Sequence, residues 1–188
     1  MPENKEAISL ARNLTEQKRF LNNGLFGEDA LPTFRKKLLD FGIDNLKPLR
    51  PEIFQVNIGY MCNQTCKHCH VDAGPDRKEM MDRETMDLCV EKIREFGVES
   101  VDITGGAPEM NPDFRYFVEE IRKTEVREII VRSNLTIILA NKKYNDLPDF
   151  FRKNKIRVVS SLPYYHAGKT DRQRGKGVFN KSCLNMRI

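Results

Sequence analysis

The sequence predicts an α/β domain with a parallel sheet, about four βα units long. Three observations predict it. β-branched and aliphatic runs recur at about Phe54 to Tyr60, Val98 to Thr104, Glu128 to Asn134 and Ile156 to Leu162. The segments between them carry apolar residues at helical spacing. Asp82 and Gly97 bracket one such segment with the start and stop signals of a helix. Strands joined through helices in this way enter one sheet side by side through right-handed crossovers. Their functional loops gather at the carboxyl ends of the strands.

Taken in order, residues 1–50 read as an N-terminal helical extension and 51–188 as the core domain. In the extension Ile8, Leu10, Leu14, Phe20, Leu21 and Leu25 are loosely spaced, while Phe34, Leu38, Leu39 and Phe41 suggest a short helix ending near Gly42. Pro48 and Pro51 mark the boundary. The first strand runs straight into a cysteine-bearing loop. Asp82 caps a helix through Phe96, with Met86, Val90, Ile93 and Phe96 inward and Gly97 as its stop. After the second strand Pro112 opens a helix with Phe114, Phe117, Val118 and Ile121 inward. A third helix is expected from Asn145 to Lys153 after the third strand. Gly177 to Ile188, after the fourth, begins another helix and leaves the last unit incomplete.

A chain that is 39% apolar and 31% charged falls in the globular class rather than the disordered one. The net charge of +5 is spread over separate segments, which argues against a nucleic-acid footprint. No apolar run is long enough to span a bilayer, and residues 1–12 carry no signal-peptide core, so the expected partners exclude membranes and the expected location is the cytoplasm. In that setting five cysteines point to metal or redox use rather than a disulfide frame. Cys89 reads as a small apolar residue on a helix.

Cys62, Cys66 and Cys69 follow the first strand at C-x3-C-x2-C spacing. Three thiolates on one short loop hold three corners of an iron–sulfur cube and leave the fourth iron open. The alternative is a structural zinc ion completed by His68 or His70, but there is no second C-x2-C pair. The motif, with His68 at its aromatic position, resembles that of the radical S-adenosylmethionine (SAM) enzymes. The resemblance implies a partial (β/α) barrel and a [4Fe–4S] cluster on Cys62, Cys66 and Cys69. It implies SAM bound to the open iron, and one-electron cleavage of SAM to methionine and a 5′-deoxyadenosyl radical. An external donor such as flavodoxin or ferredoxin follows from that chemistry.

Two further motifs fit the same resemblance. Gly105-Gly106-Ala107-Pro108-Glu109 is similar to the family's Gly-Gly-Glu-Pro motif, which meets the SAM amino group, except that Ala107 stands in the Glu place and Glu109 follows two residues later. Ser133 and Asn134, at the end of the third strand, are implied contacts to the SAM ribose or carboxylate, and Ser160 and Ser161 lie at the equivalent place on the fourth. Together with His70 to Pro75 and Arg172 to Gly177, these stretches resemble the radical SAM proteins of arsenosugar biosynthesis. That subgroup implies transfer of the deoxyadenosyl group to a dimethylated trivalent arsenic, so the expected partner is a small molecule. It also implies further βα units beyond Ile188, which makes truncation the expectation. The competing readings are a radical SAM enzyme acting on a peptide or another small molecule, and a non-enzymatic metal-binding or inactive remnant.

Overall fold

The computed structural model describes Thr15, Lys18 and residues 32–186. The scattered apolar residues from Ile8 to Leu25 lie outside the described residues. The chain divides between Leu49 and Arg50 into two units. In the first, Phe34–Asp40 is a helix whose N-cap Thr33 accepts the Lys36 N–H at 3.3 Å.

The second unit is built on four strands, β1 (Ile53–Asn57), β2 (Ser100–Thr104), β3 (Glu128–Arg132) and β4 (Ile156–Val159). All neighbours are parallel and their order in the sheet is their order in the chain. Sequential order with crossovers of one hand places every connecting helix on the same face, which is the winding of a barrel sector rather than of a doubly wound sheet.

The two sheet faces differ accordingly. Val56, Ile58, Val101, Ile103, Ile129 and Val131 alternate onto one face and are buried there. They meet Met86, Val90 and Ile93 of the Arg83–Phe96 helix, Phe114, Phe117, Val118 and Ile121 of the Phe114–Arg122 helix, and Phe150 and Phe151 of the Leu147–Lys153 helix. The opposite face is polar. Gln55 of β1 and Arg132 of β3 both bond the buried Asp102 of β2, at 2.9 Å and at 2.7–3.0 Å. Burial raises the Asp102 pKa, but the bonds from Arg132 and Gln55 outweigh it and hold the carboxylate ionised below its usual range.

The caps behave as the residues dictate. Asp82 accepts the Thr85 N–H at 2.9 Å, and Gly97 takes the left-handed conformation at φ 55°. Arg50 adds a second stop by donating to the Phe96 and Gly97 carbonyls at 3.0 and 2.6 Å. Four expectations need correction. The strands end earlier than their apolar runs, because the chain turns into functional loops: after Asn57 the Gly59 N–H bonds back to Asn57 Oδ1 at 2.9 Å. The second helix starts at Phe114 rather than Pro112, since a 3₁₀ turn at Pro108–Met110 comes first. Phe96 is exposed at the end of its helix rather than inward. After β4 the helix at Val178–Asn185 is preceded by an unforeseen one at Ala167–Arg174. Asp171 joins these two helices by accepting the Gly177 and Phe179 N–H groups at 2.7 and 2.9 Å.

Candidate functional site

Every motif singled out in the sequence comes to the carboxyl end of the sheet. The cysteine loop leaves β1 and is closed at its base. Tyr60 N–H bonds Glu79 O, Cys62 N–H bonds Gly74 O and Met81 N–H bonds Ile58 O, at 2.9–3.1 Å. Asn111 ties the same base from outside, its amide donating to the Ile58 and Met81 carbonyls at 2.8 and 2.9 Å.

The Gly105-Gly106 pair forms the floor beneath the loop. Gly106 N–H bonds Gly59 O and Ala107 N–H bonds Met61 O, both at 2.9 Å. A Cβ on Gly106 would lie 2.5 Å from Met61 O and 2.8 Å from Tyr60 O, closer than real side chains approach. The second glycine is therefore required by the docking of the cysteine loop on β2.

Cys62, Cys66 and Cys69 are free thiols. Cys62 is buried, and the other two are half-buried. Burial is the largest effect on Cys62 and raises its thiol pKa. Burial raises Cys66 as well, with the Arg174 guanidinium pulling it down. Ionising Cys62 and Cys66 is thus costlier than for a free thiol, a cost that a bound cation offsets. Among the described residues no three His, Cys, Asp or Glu side chains converge closely enough for one metal ion.

Two anchors hold the loop from above. Asn63 and Gln64 both donate to the Thr136 hydroxyl, at 2.9 and 2.8 Å, tying the loop to the 3₁₀ turn Thr136–Leu139 after β3. Lys67 N–H bonds the Gln173 carbonyl at 2.9 Å, which brings the end of the Ala167–Arg174 helix against Cys66. Neither anchor was legible in the sequence, since Asn, Gln and Thr in loops carry no spacing signal. His68 is exposed on the outer turn of the loop, as is His70.

Glu109 lies just past the floor, in the Pro108–Met110 turn, and is 5% exposed. Neither carboxylate oxygen has a hydrogen-bond partner among the described residues. Burial raises its pKa from 4.5 to about 7, with its neighbour Ser133 pulling slightly the other way. Ser133 is itself buried, and its hydroxyl accepts the Leu135 N–H at 3.2 Å. Asn134 is buried against the cysteine loop. An unpartnered carboxyl group buried at the carboxyl ends of the strands is a costly arrangement. It suits a ligand that brings a cation of its own, such as an ammonium group. Gly105, Gly106, Ala107 and Asn134 thus meet the cysteine loop, and Glu109 and Ser133 are buried as neighbours at the ends of β2 and β3.

The raised Glu109 pKa has a direct consequence for the ligand-free chain. Below about pH 4.5 both folded and unfolded states keep the proton, and the stabilisation is complete. As pH rises the unfolded chain ionises first, and the contribution is lost as pH passes about 7. Urea unfolding should therefore show up to about 3 kcal/mol lost between pH 5 and 8. Glu109→Gln should flatten that slope, and an unchanged slope would exclude Glu109 as its source.

A family model described as the Radical SAM superfamily matches residues 56–173. Curated relatives include probable GTP 3′,8-cyclases. That of Metallosphaera sedula is 35% identical over 92 residues, 48% of this chain and 28% of the relative. That of Sulfurisphaera tokodaii is 25% identical over 83 residues, 44% and 26% respectively. The matched stretch is therefore just over a quarter of these relatives' length. Among solved structures, Streptococcus suis SuiB bound to S-adenosylmethionine aligns with a TM-score of 0.60 at 16% identity, over 90% of this chain and 39% of that one. A histidine-tagged anSMEcpe with bound AdoMet aligns at 0.56 and 18% identity, over 73% and 39%. At these identities the structures speak for the fold.

Proposed function

The chain belongs to the radical SAM superfamily, and from that premise we propose that it holds a [4Fe–4S] cluster on Cys62, Cys66 and Cys69 and binds SAM beside it. The observation that carries the reading is the buried, unpartnered Glu109 carboxyl group at the strand ends that carry the three free thiols. The family uses this cluster and SAM, and the donor set fits both. When bound and reduced, the cluster supplies the electron that cleaves SAM to methionine and a 5′-deoxyadenosyl radical.

The remaining roles fall to the chain's own residues. Gly105 and Gly106 let the end of β2 approach the loop closely, and Glu109 receives the SAM ammonium. Ser133, buried at the end of β3, contacts the SAM ribose or carboxylate. His68, at the motif's aromatic position, belongs to the cofactor-binding set. Residues 51–188 make up this core and residues 1–50 an extension to it. We place the protein in the cytoplasm, served by a flavodoxin- or ferredoxin-like donor.

For the substrate we propose a dimethylated trivalent arsenic. Support comes from the Gly-Gly-Ala-Pro-Glu variant of the second motif and from Arg172 to Gly177, within which Gln173 bonds the cysteine loop. An arsenic lone pair traps a carbon radical directly, and the As(IV) radical so formed would return one electron to the oxidised cluster and lose its hydroxyl proton to solvent, which leaves the As(V) oxide. The test is anaerobic reconstitution with iron and sulfide, then dithionite and SAM, with and without dimethylarsenite. The expected product is a 5′-deoxyadenosyl dimethylarsinoyl adduct formed only with the arsenical. Free 5′-deoxyadenosine with no adduct would overturn the arsenic assignment and keep the SAM chemistry.

Glu109→Gln separates SAM binding from cluster assembly. Removing the charge that faces a buried ammonium should weaken SAM binding by about ten- to a hundredfold, with iron content unchanged. Equal SAM affinity in equilibrium dialysis of the reconstituted variant would remove Glu109 from the ammonium site.

A further inference from the structure

We propose that Asn134 is a positioning residue for the cluster, donating its side-chain N–H to the Cys62 sulfur and so raising the reduction potential of the cluster that Cys62 holds. The inference rests on the cluster reading above and assigns Asn134 a role other than contact with SAM.

The amide of Asn134 is saturated. Its nitrogen donates to Asn63 Oδ1 at 2.8 Å and faces Cys62 Sγ at 3.7 Å. Its oxygen accepts from the Thr136 hydroxyl at 2.9 Å and from the Ile137 N–H at 3.1 Å. A carboxamide has two N–H groups and one oxygen with two lone pairs, so no capacity is left for a cosubstrate. The residue is 9% exposed, and its neighbours Ser133 and Thr136 are buried with it. Its geometry is also set from behind. Leu135 sits at φ 59°, a conformation that branched side chains avoid, and its carbonyl is held by Asn185 Nδ2 at 2.8 Å. Chain strain is thus maintained at the residue that follows the amide.

A second N–H to sulfur contact occurs at the far end of the loop, where Ala73 N–H meets Cys69 Sγ at 3.3 Å. That donor is backbone and is present whatever the side chain. Cys62 also meets the backbone N–H of Gln64, so its Asn134 contact is the one that depends on a side chain. Hydrogen bonds to ligand sulfurs are one of the factors that set iron–sulfur potentials, because they stabilise the extra negative charge of the reduced state. Removing one makes the cluster harder to reduce.

The experiment is a redox titration of the reconstituted chain followed by electron paramagnetic resonance, with SAM affinity measured in parallel. Asn134→Leu removes the donor. Asn134→Ser is the second variant, since a serine hydroxyl still accepts the Ile137 N–H while falling short of Cys62. Thr136→Val is the control that loosens the loop anchor and removes one bond to the Asn134 oxygen, while the Ile137 N–H and Asn63 still hold the amide that donates to Cys62. The expected result is an about tenfold lower ratio of reduced to oxidised cluster at fixed poise in both Asn134 variants, which is about 59 mV for a one-electron couple. Thr136→Val should keep the wild-type ratio, and SAM affinity should stay within about twofold throughout. An unchanged ratio in a loaded Asn134 variant overturns the inference, most pointedly if SAM affinity falls instead. An equal shift in Thr136→Val overturns it in favour of loop anchoring. Failure of the wild-type chain to take up iron and sulfide overturns the cluster reading itself.

Discussion

Cys66→Ala is expected to abolish both the cluster and the cleavage of SAM. The three thiols sit on a loop held at Thr136 and Gln173, so a lost ligand cannot be replaced by a neighbour sliding into place. Among the described residues the remaining thiols, Cys89 and Cys183, lie on the Arg83–Phe96 and Val178–Asn185 helices and outside the loop. A cube held by two protein thiolates has two open corners and is lost to chelators and air. Iron and acid-labile sulfide should fall to background, with no visible absorption near the wild-type bands and no 5′-deoxyadenosine after dithionite. Because Cys66 is half-buried and serves no packing role in the core, the apo-chain should unfold at the wild-type urea midpoint. Retention of a cluster by the variant would remove Cys66 from the ligand set.

Gly106→Ala carries the second-largest effect, and here it falls on the fold first. The added methyl meets backbone oxygens of Met61 and Tyr60 on a segment already pinned by Asn111 and Gly74, so relief requires the loop to lift as a unit. Lifting breaks the Gly106 and Ala107 bonds to Gly59 and Met61. Overpacking and two lost hydrogen bonds together amount to roughly 2–4 kcal/mol. Gly177→Ala is the matched control: its φ is 79° but nothing lies within 4 Å of the added carbon, so it carries strain alone, about 1 kcal/mol. Urea unfolding of the two variants side by side distinguishes close approach from strain. Equal losses would mean that the floor contact is not what Gly106 is for.

Much of the frame could be read from the sequence because it is governed by local chemistry. Asp82 and Gly97 act within a turn of themselves, and Met86, Val90 and Ile93 fall on one face by simple periodicity. The parallel sheet followed from strands alternating with helices, and the partial barrel from the family resemblance. What escaped was set by partners distant in the chain. The Ala167–Arg174 helix buries only Thr170, so it shows no apolar stripe, and its order derives from Asp171 and from Lys67, about a hundred residues earlier in the chain. The strand ends were overestimated because Ile58 and Leu162 continue the apolar run while the backbone has already turned. In the site, the C-x3-C-x2-C spacing marks the cysteines as candidate ligands, whereas the saturation of Asn134 and the unpartnered oxygens of Glu109 depend on which loops meet, and no spacing rule encodes that.

The ties from Asn63 and Gln64 to Thr136 also set a timetable. They join residues 72 and 73 positions apart, and β3 must be seated in the sheet before Thr136 is in place to receive them. At a synthesis rate of about 5–20 residues per second, roughly 4–15 s separates emergence of the thiols from emergence of their anchor. During that interval the three cysteines are on a chain whose long-range pairings have yet to form. Metal loading is therefore expected to be a late event, following the third strand, and the nascent chain is most vulnerable to oxygen and to stray thiophilic ions before it.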